Sequence, residues 1–186
     1  IVCYNEEQKL EKCLNSISFF DEIIFIDLNS TDDSIKVAKK FTNKIFRHKR
    51  EPIVELVQKK FIKKAKNEWI AFIDPDEILS LNLQKKVVGL SHILKDKKYG
   101  SISVRWKFFF SRQPLNGTIW GLNKFKTIFY RKEALEFRAT IHVSKVLKYE
   151  FKNFIIKDNN SYLNHFWVDN TKDFLEKQKR YLPFEV

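Results

Sequence analysis

An acidic cluster directly follows a short apolar segment of the chain. Asp74-Pro75-Asp76-Glu77 comes after the apolar residues 69–73, a pattern that predicts a buried strand ending in a polar loop. In open α/β sheets, ligands bind outside the carboxyl ends of the strands. Neighbouring carboxylates repel one another unless a cation lies between them, and oxygen ligands suit Mg²⁺ or Mn²⁺. The segment therefore predicts a divalent metal site that also holds diphosphate oxygens; the alternative is an acidic turn that caps the next helix.

Two further polar loops follow predicted strands nearer the N-terminus. Asp27 ends a short apolar run, and a carboxylate at that sheet edge can accept hydrogen bonds from a nucleobase or a ribose. Ser30 and Thr31 lie at the start of the next predicted helix, where capping is their ordinary role. After the first strand, Tyr4 can stack on a base, and Asn5 is placed to cap the first helix.

The apolar periodicity places these loops in an α/β fold. Strands are predicted at 1–4, 22–27, 44–47, 69–73, 102–108 and 126–131, and helices at 6–18, from the turn after Asp27 to about Phe41, across 53–65, across 83–94, and at a closing segment that begins near Thr171. The strand–helix alternation in the first half indicates a parallel sheet covered by helices. The alternating pattern of 102–108 indicates a half-exposed strand in a second half that shapes the substrate site.

The length and composition indicate one globular domain. The 186 residues are 44% hydrophobic, which is enough for a core and too much for a disordered chain. We expect a single domain over 1–186, cut inside or just before its first strand and followed by further protein. Cys3 and Cys13 lack metal-ligand spacing and are expected to be buried thiols in a reduced compartment.

The net charge of +12 favours phosphate-bearing partners such as nucleic acid, an anionic membrane surface or phosphorylated small molecules. A Lys-rich surface without a specific anionic partner is the alternative, because no block of like charges is present. No apolar run approaches the ~20 residues that span a bilayer, and no secretory leader is visible. We therefore expect a cytoplasmic protein, with peripheral contact at the inner face of the cell membrane as a further option.

Together the polar loops resemble those of glycosyltransferase family 2, whose members have the nucleotide-sugar-binding GT-A fold. The family's opening Tyr-Asn-Glu-Glu stretch is similar to Tyr4–Glu7, and its Asp-x-x-Ser-Thr-Asp turn is similar to Asp27–Asp32, with Asn29 where Gly is common. Its metal-binding Asp-x-Asp corresponds to Asp74 and Asp76. The resemblance implies an α/β fold with a central, mostly parallel sheet flanked by helices and a smaller antiparallel part on the acceptor side.

Later segments resemble the branch of the family that includes lipopolysaccharide-core glucosyltransferases. These segments are Lys126–Arg131, Ile141–His142 and Asn164–Phe166. The branch implies an inverting transfer of a hexose from a nucleotide-diphosphate sugar, with UDP as the expected nucleotide. It also implies a glycan or glycolipid acceptor such as lipopolysaccharide core, and Mn²⁺ or Mg²⁺ as the cofactor.

The resemblance implies a role for individual residues. The nucleotide would be bound by Tyr4, Glu6, Asp27 and Asp74, the metal by Asp76, Asp74 and His165, the diphosphate or an anionic acceptor by Lys126 and Arg131, and the acceptor proton by His142. An inverting transferase needs a general base, and the branch commonly has Glu after this His, where Val143 stands here. The base is therefore His142 or an acid elsewhere, or else the protein is a weakened or inactive relative. His142 and His165 also have a structural alternative as hydrogen-bonded core histidines.

A different class of function fits the charge alone. A non-catalytic basic module would bind nucleic acid or an anionic glycan through its lysines and interleaved aromatic residues. The acidic cluster at the predicted sheet edge would repel such a polyanion unless metal were present, so no nucleic-acid partner is expected. A nucleotidyltransferase would typically have a Gly-rich phosphate loop near the N-terminus, and the chain has only four glycines.

Overall fold

The computed structural model describes residues 1–51, 53–116, 118, 124–138 and 145–181. Within them the helices are α1 (Glu7–Ser16), α2 (Ser34–Ala38), α3 (Val54–Phe61), α4 (Leu81–Val88), α5 (Ser91–Lys95) and α6 (Thr171–Tyr181). The strands are β1 (Val2–Cys3), β2 (Phe25–Asp27), β3 (Ile45–Arg47), β4 (Trp69–Ala71), β5 (Glu77–Leu79), β6 (Tyr99–Phe110), β7 (Gln113–Pro114), β8 (Phe125–Arg131), β9 (Leu135–Phe137), β10 (Lys145–Leu147), β11 (Lys152–Ile155) and β12 (Tyr162–Val168).

The N-terminal half contains a parallel sheet in the order β1-β2-β3. Cys3 pairs with Asp27, and Asp27 pairs with Arg47, so the three strands end side by side. Every residue of β2 is buried, as expected for a continuous apolar strand between helical layers. The loops that follow β1 and β2 consequently lie next to each other at one edge of the sheet.

The second sheet is larger and mixed, with the order β4-β8-β6-β12-β5. Strand β6 is its longest member: it pairs antiparallel with β8 and β7 and parallel with β12 and β11. Strand β4 pairs antiparallel with β8, where Trp69 lies opposite Arg131 and Ala71 opposite Phe129. The register brings the start of β8 toward the acidic loop that follows β4.

The predicted α/β fold is confirmed, but its parallel sheet is smaller than predicted. The parallel sheet has only three short strands, and β4, which the strand–helix alternation placed in the parallel layer, pairs antiparallel with β8. Strand β8 provides a long hydrogen-bonding edge for β4, and it lies far along the chain. Local periodicity therefore identifies β4 as a strand without indicating its neighbour.

One apolar core joins the two sheets. Helix α1 buries Leu10, Cys13 and Leu14 against it, and β6 and β8 contribute Ile102 and Ile128. Both cysteines are free and buried, which agrees with their predicted role as small core residues. None of the helices in the part of the chain that the structure describes is long and apolar enough to cross a membrane.

Candidate active site

Asp27 lies at the carboxyl end of β2 and is fully buried. Both of its carboxylate oxygens accept a hydrogen bond from the Ser30 backbone N–H, each at 3.2 Å. This contact folds the turn after β2 back onto the strand. Asn29 has a φ of 60° in that turn, a left-handed conformation that Gly and Asn adopt most easily. Asn therefore replaces the common Gly of the resembling turn without a change of backbone path.

The loops after β1 and β2 are tied together by side chains. Asn5 Oδ1 accepts a hydrogen bond from the Thr31 backbone N–H at 2.8 Å, and the Asn5 backbone N–H donates to Ser30 Oγ at 3.0 Å. Asn5 has a φ of 53° and does not cap α1, whose N-cap position is Glu6 with no side-chain cap bond. The predicted cap at Asn5 is wrong because its amide is used to join the two loops.

Tyr4 and Glu6 line the same edge of the sheet. Tyr4 is half-buried, and the Arg50 guanidinium lies 4.2 Å from the centre of its ring. Because the Arg50 guanidinium covers one face of the Tyr4 ring, a nucleobase would stack either on the other ring face or on the guanidinium. Glu6 lines a cavity of about 280 Å³ that also contacts Asp32 and Lys177. The cavity connects the first loop to the neighbourhood of the acidic cluster.

The acidic cluster after β4 encloses a lysine. Lys126 Nζ, at the start of β8, donates to Asp74 Oδ2 at 2.8 Å and to Glu77 Oε1 at 2.7 Å. Glu77 is fully buried and also accepts hydrogen bonds from Trp106 Nε1 and from the Asp74 backbone N–H, both at 3.0 Å. The side chain of Asp74 is 43% exposed. Lys126 thus links a buried carboxylate to one that faces solvent.

Asp76 has a second set of partners. Its Oδ2 atom lies 3.3 Å from His165 Nε2 and 3.2 Å from Lys177 Nζ, and its side chain is 9% exposed. The His165 ring stacks on Trp106 at 5.4 Å with an interplanar angle of 4°. Its Nδ1 atom is buried with no hydrogen-bond partner among the described residues. The nitrogen that faces the acidic loop is therefore Nε2.

Burial and neighbouring charges shift the pKa values of this cluster in different directions. Burial would raise the pKa of Asp76, but its interactions with His165 and Lys177 hold that pKa below the usual value. Burial also opposes ionisation of Asp74, and the charge of Lys126 lowers its pKa nevertheless. For Glu77 the burial effect exceeds that of Lys126, so its pKa is raised. Asp74 and Glu77 overcome the burial of Lys126 and raise its pKa.

The donor atoms partly fit a divalent metal. Asp76 Oδ2 and His165 Nε2 lie together, and carboxylate oxygen is the ligand that Mg²⁺ and Mn²⁺ prefer. Asp74 points to Lys126 instead, and no group of three or more His, Cys, Asp or Glu residues in the described ranges has the arrangement of a metal site. Asp76 and His165 would be the first ligands, and Asp74 would join them by turning away from Lys126.

Comparison with known proteins identifies the family. The family model described as glycosyl transferase family 2 matches residues 1–144. The chain belongs to glycosyl transferase family 2. It is 34% identical over 98 residues to the SPbeta prophage-derived glycosyltransferase SunS of Bacillus subtilis, covering 51% of this chain and 23% of SunS. It is 23% identical to an uncharacterized glycosyltransferase of Rickettsia typhi, covering 100% of this chain and 70% of that protein.

Solved structures support the GT-A fold of this family 2 chain. S. aureus TarS superposes with a TM-score of 0.60 at 16% identity, over 94% of this chain and 37% of TarS. Residues 1–349 of TarS in complex with UDP superpose with a TM-score of 0.59 at 16% identity, over 100% of this chain and 65% of that one. The chain therefore spans well under half of SunS and of TarS.

The structure does not bring Arg131 to the acidic cluster. Arg131 is fully buried and donates to the backbone carbonyls of Tyr99, Leu94 and Asp96 and to the Glu68 carboxylate. It lies five residues along β8 from Lys126, which corresponds to about 16 Å at ~3.3 Å per residue. We therefore correct its predicted role: Arg131 holds the start of β4 to the α5 region and does not face the site.

The predicted general base lies outside the described residues, as do Ile141 and Val143. Lys177 is a member of the cluster that sequence reasoning missed. Phe174 packs on Trp167, and Lys177 lies one turn further along the same face of α6, since residues three apart on a helix are neighbours. This spacing predicts that Lys177 lies on the same face of α6 as Phe174, but it does not indicate that Asp76 is its partner.

Proposed function

We propose that this family 2 chain transfers a hexose from a UDP-sugar with inversion at the anomeric carbon. The observation that carries the proposal is the cluster after β4, where Asp74 and Asp76 are held by Lys126, His165 and Lys177. Lys177 also lines a cavity that reaches the loops after β1 and β2. Sequence relatives are glycosyltransferases, and TarS, which has a similar fold, has been solved with UDP.

The nucleoside would bind at the sheet edge beside the loops after β1 and β2. Asp27 keeps lone pairs beyond those that the Ser30 N–H occupies, because a carboxylate offers about four acceptor sites. Asp27 is fully buried, so a base or a ribose would reach these lone pairs when the turn at Ser30 moves aside. Tyr4 with Arg50 offers a planar surface for stacking, and Glu6 borders the adjoining cavity.

The diphosphate would bind at the acidic loop through Mn²⁺ or Mg²⁺. Asp76, His165 and Asp74 would hold the ion, which would neutralise the charge of the leaving nucleotide. Lys126 would stay paired with Glu77 when Asp74 turns to the ion, and it would contribute positive charge next to the phosphates. Asp74, Asp76 and Glu77 are the acidic groups of this loop, and Lys126 and Lys177 contact them from β8 and α6. A divalent cation would offset the repulsion between the carboxylates and an anionic diphosphate.

The general base and the acceptor are proposed from the family resemblance. His142, or an acid elsewhere in the protein, would take the proton of the acceptor hydroxyl. The acceptor would be a glycan or glycolipid such as lipopolysaccharide core, and the net charge of +12 suits an anionic acceptor or contact with the inner face of the cell membrane. The reaction would then take place in the cytoplasm.

Release of UDP from UDP-glucose and UDP-N-acetylglucosamine, measured with Mn²⁺, tests the proposal. Donor hydrolysis by the wild type should fall at least about 100-fold in Asp76→Asn, since removing an electrostatic stabiliser of the transition state costs about 10²–10³ in rate. Asp33→Asn is the matched control, because Asp33 has the same chemistry at an exposed position, where it pairs with Lys36 in the described part of the chain. Equal rates in Asp76→Asn and the control would contradict the proposed site.

A further inference from the structure

Among the residues of α6 that the structure describes, Lys177 forms the ion pair with the acidic loop. Its Nζ atom donates to Asp76 Oδ2 at 3.2 Å and also to the Trp167 carbonyl. The same Asp76 oxygen faces His165 Nε2 at 3.3 Å. A single carboxylate oxygen therefore serves two partners, and Lys177, at 16% side-chain exposure, has lost most of its hydration.

We propose that Lys177 is a diphosphate-binding residue that leaves Asp76 when the donor and its metal bind. The inference rests on the proposed function and deepens it. A cation bound to Asp76 and His165 takes the oxygen to which Lys177 donates, and it repels the ammonium group. A largely buried ammonium requires an anionic partner, and the incoming diphosphate supplies one next to the vacated position.

The distances agree with such an exchange. Mg²⁺ holds oxygen ligands at about 2.0–2.1 Å, so a phosphate oxygen on the same ion lies within roughly 4 Å of the carboxylate oxygen. Lys177 Nζ is 3.2 Å from that oxygen now, and rotation of its flexible stem is enough to reach the phosphate. Its second bond, to the Trp167 carbonyl, keeps the amine near the site when Asp76 is lost.

Acidic residues along the neighbouring cavity offer another destination for the amine. Asp173 and Glu176 both line this cavity with Lys177. Asp173 accepts hydrogen bonds from Asn170, which leaves Glu176 as the main competitor on α6. If Lys177 turned to Glu176, it would not contribute to nucleotide affinity, and the two arrangements predict different binding data.

The test is calorimetric titration of Mn²⁺ alone, and then of UDP in saturating Mn²⁺, into the wild type and Lys177→Gln. We expect Lys177→Gln to bind UDP about 10- to 100-fold more weakly, as for loss of a hydrogen bond to a charged group, and to bind Mn²⁺ equally or more tightly. Lys177→Arg should keep UDP affinity within about threefold, because it retains the charge. Lys179→Gln is the matched control on an exposed position of α6 and should change both affinities less than about twofold.

The proposed role lowers the UDP affinity of Lys177→Gln and keeps or raises its Mn²⁺ affinity, whereas a purely structural role would lower both. UDP affinity of Lys177→Gln equal to that of the control would overturn the inference, and so would a parallel loss of Mn²⁺ and UDP affinity, which indicates a damaged site. Both outcomes require that the wild type bind UDP with Mn²⁺. Failure of the wild type to do so would refute the proposed function itself, and the role of Lys177 with it.

Discussion

Replacement of Lys126 by Met should destabilise the protein through the carboxylate that it leaves behind. Lys126 donates to Glu77, which is fully buried, and to Asp74, which is 43% exposed. Water can hydrate Asp74, so its ion pair contributes little to stability. Glu77 cannot be hydrated, and breaking a buried pair by removal of one partner costs about 3–5 kcal/mol. We expect Lys126→Met to lose about 3 kcal/mol in the free energy of unfolding.

A second substitution separates this effect from lost packing. Glu77→Gln in the Lys126→Met background removes the unpaired charge. Its amide oxygen can still accept from Trp106 Nε1, and the hydrogen bond from the Asp74 backbone N–H to the second carboxylate oxygen is lost. The double variant should regain about 2 kcal/mol, because neutralising both partners of a buried pair is far less costly than removing one. Lys97→Met is the control, since Lys97 pairs with Glu68 at 73% and 45% exposure, and it should cost less than about 1 kcal/mol.

The pH dependence gives a further check on Lys126→Met. Burial already raises the pKa of Glu77 in the wild type, against the effect of Lys126, and loss of Lys126 raises it more. A group with a raised folded-state pKa stabilises the fold below its unfolded pKa of about 4.3, and this contribution is lost as pH rises through the folded pKa. The deficit of the variant should therefore be small near pH 5 and largest at pH 7–8.

Urea unfolding followed by circular dichroism at both pH values measures these free energies. Additive effects of the two substitutions, with no recovery in the double variant, would refute the ion-pair reasoning. A loss that is the same at pH 5 and pH 8 would refute it as well, because a cost that does not depend on pH is not caused by an unpaired carboxylate. Coupling between the two positions is the quantity that the double-mutant cycle isolates.

Three further predictions concern the scaffold. Arg131→Met should cost about 1–3 kcal/mol of stability, because it removes the donor to three part-buried carbonyls, whereas its ion-pair partner Glu68 is 45% exposed and can be hydrated. The folded fraction should keep the UDP affinity of the wild type by calorimetry. Gly100→Ala should cost about 1–3 kcal/mol in urea unfolding, since its Cβ would lie 2.5 Å from the Ala134 Cβ. Gly89→Ala is the control, because its Cβ would lie 3.5 Å from its nearest neighbour, the Lys86 carbonyl oxygen, and it should change stability by less than about 1 kcal/mol. Burial raises the pKa of Cys3 to about 12. Alkylation of Cys3 by iodoacetamide at pH 8 should therefore be at least about 1,000-fold slower in the native protein than in denaturant. Rapid labelling of the native protein would contradict this expectation.

The positions of the polar loops could be predicted because they depend on local pattern. An apolar run ends at Asp27 and another ends before Asp74. In the structure β2 ends at Asp27, and the half-buried β4 ends at Ala71, shortly before Asp74. The closing helix begins at Thr171, close to its predicted start, and the Asn170 side chain caps it by accepting from the Asp173 N–H. These features need only the periodicity of neighbouring residues and the exclusion of polar groups from the core.

The cations of the site could not be assigned reliably, because they depend on contacts distant in sequence. Lys126 reaches Asp74 only through the antiparallel register of β8 with β4. Lys126 and Arg131 are an odd number of residues apart, so a regular strand directs them to opposite faces. That spacing was an available argument against the shared role that the resemblance implied. Lys177 depends on the docking of α6 over β12, which no local pattern specifies.

The most direct test of the central claim is the affinity of the wild type for UDP, measured calorimetrically in Mn²⁺ and again in EDTA. We expect binding in the micromolar range that requires the metal, because the carboxylates of the acidic loop otherwise repel the diphosphate. Asp76→Asn should abolish the metal-dependent binding. UDP binding of equal strength in EDTA, or no binding in either condition, would contradict the claim that this loop binds the diphosphate through a divalent cation.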